Sequence, residues 1–222
     1  MSDDASTTAT APAKVKPRLR GVSHHFASYV AAAATIGLCL RARAGPATWA
    51  MLIYGLCLTA LFAISATYHV PMWPPTQRQR LRRLDHAAIY LQIAGTYTPV
   101  CLLALPPSAG QSLLWTVWVA AALGIAKSVL WVHAPKPVSA ALYVGLGWAV
   151  VTKWQAVVDG LGPVGMSLML GGGALYTVGA VIYALRRPDP RPQVFGYHEI
   201  FHVLVIAAAA CHFVMVSRVV LQ

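Results

Sequence analysis

Seven apolar stretches, each near the length of a bilayer-spanning helix, take up most of this sequence, at about 22–40, 47–69, 85–105, 111–132, 138–157, 163–185 and 197–219. Crossing the hydrocarbon core as a helix takes about 20 mostly apolar residues. In that core every backbone N–H and C=O must find its partner within the protein, which leaves helices or closed barrels as spanning structures. Apolar runs of this length select the helix, so the chain reads as an all-α, polytopic membrane protein with a seven-helix bundle. The connections run from Arg41 to Pro46, Val70 to Leu84, Pro106 to Ser108, Ala134 to Pro137, Asp159 to Gly162 and Arg186 to Gly196. Proline and glycine punctuate nearly all of them, as breaks between helices require. The fifth stretch is the most polar, with Lys153 and Gln155, yet its length and flanking turns favour crossing.

Composition agrees. Hydrophobic residues make up 58% of the chain and charged ones only 10%, against about 25% charged in soluble domains. The formal net charge of +11 on its own would fit a nucleic-acid binder, but the basic residues fall in short runs between apolar stretches, as orientation signals do. A nucleic-acid partner is therefore excluded. Cys39, Cys57, Cys101 and Cys211 all lie within apolar stretches with no CxxC pair. They read as small buried hydrophobes rather than a disulfide framework or a cysteine-based zinc site.

Lysine and arginine in short loops set orientation. With the N-terminus inside, the inner segments hold Lys14, Lys16, Arg18, Arg20, Arg78, Arg80, Arg82, Arg83, Lys136, Arg186, Arg187 and Arg191, against Arg41, Arg43 and Arg218 outside. The expectation is a cytoplasmic N-terminus and an outside C-terminus in a bacterial inner membrane. Residues 1–15 read as a disordered cytoplasmic tail and 16–222 as the membrane domain. The first stretch is long and leads into others, so it reads as retained rather than as a cleaved signal. Only Val220, Leu221 and Gln222 follow the last stretch, so no C-terminal extracellular domain is expected.

Orientation puts the polar residues at one depth. His69 ends the second stretch on its inner side, Asp85 and His86 begin the third there, and His198 and His202 occupy the first turns of the seventh. His198 and His202 are four apart and share a helix face. Ionisable groups at membrane depth are costly and mark function by default. Neutral imidazole is a favoured zinc ligand, and catalytic zinc has three protein ligands plus an open position. His69, His198 and His202 supply the three. Asp85 is the candidate to hold a water and take its proton, and Ser65, four residues before His69, shares that face. Asp85 paired with Arg82 or Arg83 is the structural alternative. His212 shares the face of His198 and His202 but lies about 15 Å farther along at 1.5 Å per residue, too far for the same ion, and reads as a packing or hydrogen-bonding residue. His24, His25, His86 and His133 read as solvated interfacial histidines. The glycines of the sixth stretch (Gly165, Gly171 to Gly173, Gly179) allow close helix approach, within the bundle rather than in a dimer; the oligomeric state stays open.

Five blocks now on the page carry a resemblance: Lys16-Pro17-Arg18-Leu19-Arg20-Gly21, Ser65-Ala66-Thr67-Tyr68-His69, Arg83-Leu84-Asp85-His86-Ala87-Ala88-Ile89-Tyr90, Ala94-Gly95-Thr96-Tyr97-Thr98-Pro99 and His198-Glu199-Ile200-Phe201-His202. Across about 16–220, the chain resembles the hemolysin III family, the bacterial branch of the progestin and adipoQ receptor (PAQR) proteins, which include the adiponectin receptors. That resemblance implies a seven-helix bundle with zinc near its cytoplasmic face, held by His69, His198 and His202. It also implies that Asp85 holds the zinc-bound water with Ser65 beside it. Fold relatives include alkaline ceramidases, so the implied activity is hydrolysis of a lipid amide or ester, with membrane lipids as partners, or regulation of membrane lipid state.

Three other functions compete. His198-Glu199-Ile200-Phe201-His202 fits HExxH, in which the Glu is the general base of a metalloprotease. No acid follows Glu199 to act as third ligand, however, and the receptor relatives carry Gln at the matching position. A sensor with structural zinc would want four protein ligands, and three histidines are evident. A cytolytic pore would want a polar stripe through the bundle, where the outer halves of the stretches are nearly all apolar.

Overall fold

The computed structural model describes residues 16–42 and 44–221. The expected tail, Arg43 and Gln222 lie outside the described residues. Those described form helices joined by short connections, with no β-strand: α1 (Val22–Cys39), α2 (Pro46–His69), α3 (Pro75–Pro99), α4 (Pro107–Leu130), α5 (Lys136–Gly147), α6 (Trp154–Leu185) and α7 (Tyr197–Val220). Proline stands at the first or second position of α2, α3, α4 and α5, where its missing N–H has no helical partner to lose.

Among the described residues, five helical stretches are long and apolar enough to cross a membrane: Pro46–His69, Pro75–Ala104, Pro107–Leu130, Lys136–Leu185 and Tyr197–Val220. Large apolar side chains such as Trp49, Trp115, Leu123 and Val178 stand exposed on the outside of the bundle. Exposed apolar surface on this scale is incompatible with a monomer in water and suits lipid.

Two boundaries differ from the sequence reading. The third helix begins at Pro75 rather than at 85. The run Gln77 to Arg83 is rich in Arg, Gln and Leu, all good helix formers, so it continues the apolar helix instead of looping. The fifth stretch is not one regular helix. α5 stops at Gly147, a 3-10 turn covers Ala149–Lys153, and α6 resumes at Trp154. Within α6 the backbone breaks again at Gly162, at φ 62° and ψ −179°, just before Pro163, which has no N–H to donate. Apolar surroundings make such breaks expensive unless the freed backbone groups find partners. Tyr97 provides them at the first break: its hydroxyl donates to the Gly147 carbonyl at 2.7 Å and accepts from the Val150 N–H at 2.8 Å.

Neighbours in sequence pack side by side (α1 on α2, α2 on α3, α3 on α4, α5 on α6, α6 on α7), and α7 also meets α1, α2 and α3. Tyr54, Met51, Leu113, Val117, Met215 and Val216 are fully buried in the core. The glycines of α6 face α7: a methyl group at Gly179 would sit 3.3 Å from Phe201, and one at Gly172 would run into the His212 ring. The segment before α1 is laced to the loop before α7, Arg18 N–H to the Gln193 carbonyl at 3.0 Å and Leu19 N–H to the Val194 carbonyl at 3.2 Å. That lacing brings the first turns of α1 and α7 together, and the site forms there.

Candidate metal centre

Four helices deliver the site. His69 is the last residue of α2, Asp85 lies in α3, His198 and His202 occupy the first two turns of α7, and α1 contributes His24. His69, His198 and His202 are all buried, and one ring nitrogen from each lies within 4.8 Å of the others. His69 Nε2 and His198 Nε2 are 3.3 Å apart. Two imidazole nitrogens bound to one tetrahedral zinc at about 2.0–2.1 Å would lie about 3.3 Å from each other. The spacing therefore fits a shared ion. The buried Nδ1 of His202 has no hydrogen-bond partner. The three residues are close enough to hold one metal ion together.

Asp85 Oδ2 comes within 3.8 Å of His69 Nε2, but its carboxylate stands outside the group of three mutually close ligand atoms. Among the described residues Asp85 makes no direct ion pair with Arg82 or Arg83, although the Arg82 charge is close enough to act on it. Ser65 is buried beside it, one turn above His69, and lines the same cavity. The five residues singled out in the sequence thus meet at one place.

His24 corrects the reading of it as a solvated interfacial histidine. It is only 3% exposed. Its ring stacks on that of His202, with centroids 3.8 Å apart and planes 8° from parallel, and its Nδ1 lies 2.8 Å from Ser65 Oγ. It therefore holds the flank of one metal-site histidine and orients the hydroxyl beside another. A signal was present: His24 falls on the same face of α1 as the buried Ala31, Thr35 and Leu38, whereas His25 and His133 are exposed, as expected.

Glu199, the acid of the HExxH pattern, is turned to other work. Its Oε1 pairs with Arg20 Nε and its Oε2 accepts the Gly196 N–H at 2.7 Å. The second contact is the returning half of a capping box, satisfying a free donor at the start of α7. With both oxygens engaged, Glu199 fixes the turn that carries His198 and His202 and is not presented to them as a base. Gly21, before α1, has φ +82° and packs so closely on α2 that a methyl group there would lie 2.5 Å from His69 Cβ.

The site opens into a cavity of about 290 Å³ with mostly apolar walls, which extends past Thr96, Tyr97 and Trp148 to His212. His212 Nε2 lies 3.2 Å from the Met169 carbonyl, a hydrogen-bonding role at a distance from the three-histidine group. Arg20, Arg78, Arg82 and Lys136 also line the cavity, and their partial exposure marks its mouth. The arrangement offers a place for one metal ion, an adjacent carboxylate and hydroxyl, and an apolar chamber running away from them.

The sequence pattern of a family described as haemolysin-III related matches residues 13–213. The chain is 33% identical over 172 residues to hemolysin-3 of Bacillus cereus, covering 78% of this chain and 75% of the relative. It is 31% identical over 171 residues to the monocyte to macrophage differentiation factor of Homo sapiens, covering 72% of this chain and 66% of that protein. A shorter similarity, 43% over 49 residues, covers 20% of the chain and 16% of the ADIPOR-like receptor IZH2 of Saccharomyces cerevisiae.

Proposed function

The chain belongs to the haemolysin-III-related family of multi-pass membrane proteins, with PAQR and adiponectin-receptor-like relatives, and from that premise we propose that it is a zinc-dependent hydrolase of lipid amide or ester bonds in the bacterial inner membrane. His69, His198 and His202 hold the ion, Asp85 acts as proton acceptor and Ser65 lies beside it. Residues 16–222 form one seven-span domain behind a tail at 1–15, with the N-terminus cytoplasmic and the C-terminus outside. A count of seven is supported by length. The 50-residue stretch Lys136–Leu185 would run about 75 Å as one helix at 1.5 Å per residue, far beyond the roughly 30 Å core, so it accommodates two crossings, broken near Gly162. With α1, that makes seven.

One observation carries the chemistry: three buried imidazoles spaced for one ion, with a carboxylate 3.8 Å from His69 Nε2 that stands back from the other two. That leaves a position open, the hallmark of catalytic rather than structural zinc. Bound zinc would acidify water toward neutral pH and polarise a carbonyl. The chain's own part is to place Asp85 Oδ2 as acceptor for a water proton, with Ser65 Oγ, oriented by His24, as its hydrogen-bonding neighbour. The apolar chamber takes the acyl chain, and closing off bulk water strengthens the polar contacts at the carbonyl.

Metal content of detergent-purified protein tests this. Near-stoichiometric zinc in the wild type, lost in His202→Ala and kept in Asp85→Ala, with lipid-amide or ester turnover lost in both variants, is the expected result. A wild type without bound metal would refute the proposal. Loss of zinc in Asp85→Ala as well would make the site closed and structural, and the protein a sensor.

A further inference from the structure

The helical extension of α3 beyond the apolar stretch has a consequence for the cavity. Arg78, Arg82 and Asp85 follow one another at intervals of four and three residues, so they line one face of α3, and all three line the chamber that holds the histidines. Arg78 is exposed, its guanidinium resting over the Tyr68 ring at 5.3 Å, and Arg82 is half-buried. Arg20 and Lys136 complete the rim. Among the described residues, Arg20 alone of the four has a carboxylate partner, Glu199. Lys136 instead rests on aromatic rings, 4.2 Å from the Tyr183 centroid, and donates to the Tyr197 hydroxyl at 2.9 Å. Neither Arg78 nor Arg82 makes an ion pair among the described residues, although the Arg82 charge acts on Asp85 one turn farther along.

Two like charges one turn apart on a helix destabilise it, and charges at the edge of an apolar chamber feel each other more than charges in water. Lys16 outside the bundle registers this crowding. Its pKa is held below the ordinary lysine range by burial first and then by Arg78 and Arg20. Membrane orientation alone does not require cations at the cavity: Arg80, Arg186, Arg187 and Arg191 serve that purpose without lining it. Unpaired guanidinium groups at a rim call for an anion there. Arginine forks match the acceptor geometry of phosphate with two parallel bonds each. The chamber behind them, about 290 Å³ and mostly apolar, lies close to the lower bound of the roughly 300–1,000 Å³ of ligand pockets, and its mostly apolar walls suit an alkyl chain.

We propose that the cavity mouth is a headgroup site for a phosphate-bearing acyl lipid, with the phosphate held by Arg78 and Arg82 and an acyl chain running inward past the histidines. Binding of this kind requires no turnover and no metal; it shares only the chamber with the reading above, so either can fail alone. Free phosphate offers the guanidinium groups the same chemistry, and the acyl chain separates the two sources.

The test is binding to full-length protein in non-ionic detergent by native mass spectrometry. Dilauroyl phosphatidic acid is the probe, dilauroyl glycerol the phosphate-free control and inorganic phosphate the competitor. Arg78→Gln/Arg82→Gln should weaken phosphatidic acid binding at least tenfold, and the single change Arg78→Gln, at an exposed position, about threefold. Arg186→Gln/Arg187→Gln, near the same end of the bundle but off the cavity, should stay within twofold of the wild type. The phosphate-free control should bind at least tenfold more weakly. Equal loss in the Arg186/Arg187 pair would reduce the effect to general surface charge and overturn the proposal. So would unchanged binding in both Arg78 variants, or inorganic phosphate competing as well as the lipid. Helix content and gel-filtration profile show that each variant is folded, and Arg78→Gln carries the test if the double change is not.

Discussion

The pair Arg20–Glu199 makes the most quantitative claim about how the site is held. Glu199 has a side chain 3% exposed and Arg20 one 20% exposed, so replacing Arg20 with Leu strands a buried carboxylate. Stranding one partner of a buried pair destabilises by about 3–5 kcal/mol. Here Gly196 N–H still bonds Glu199 Oε2 at 2.7 Å and Arg20 is partly wet, so the lower end applies, about 3 kcal/mol. Glu199→Gln keeps an acceptor for Gly196 and leaves a cation that water can reach, a loss of about 1.5 kcal/mol, the lower bound for a bond to a charged group. The double variant has no stranded charge and should lose about 2 kcal/mol, well short of the roughly 4.5 kcal/mol sum of the singles. Reversible unfolding in mixed micelles, followed by tryptophan fluorescence while the SDS fraction is raised, measures all three differences. If the single losses add to the double loss within about 0.5 kcal/mol, the two residues are not coupled, and the account of how the first turn of α7 is fixed is wrong.

Three further outcomes follow from particular contacts. Gly21→Ala should destabilise by about 1–2 kcal/mol from its left-handed backbone alone, plus the collision with His69 Cβ, and should lower metal retention; wild-type metal content and stability would refute the close approach. His24→Ala removes the ring stacked on His202 and the partner of Ser65, and should weaken metal affinity by about 10-fold, at the low end for outer-shell partners, as measured by competition with a chromophoric chelator. Tyr97→Phe frees the Gly147 carbonyl and the Val150 N–H in apolar surroundings and should cost about 1–3 kcal/mol in the same SDS titration, with metal content unchanged.

Much of the site could be read from residue spacing. A bilayer fixes depth along a helix, so counting from the ends of apolar stretches placed His69, Asp85, His198 and His202 at one level, and the i, i+4 interval put the last two on one face. Depth says nothing about azimuth. Whether a histidine near a helix start looks outward or inward depends on which neighbour packs against it. His24 and His25 are adjacent in sequence, yet the packing of α1 against α2 and α7 buries the first against His202 and leaves the second exposed. Glu199 illustrates the same limit: HExxH describes one helix, while the direction of its carboxylate was decided by Arg20, 179 residues away.

The sequence by itself determined the helical class, the membrane and the residues of the three-histidine group, because hydrophobic length and helical period are properties of local chain segments. Tertiary structure decided the rest. It bridged the irregular backbone between Gly147 and Val150 with a hydroxyl from α3, gave Glu199 a structural task, and carried the arginines of α3 to the rim of the chamber. Each depends on groups from different helices meeting at distances of a few ångströms, a relation created only when the bundle closes.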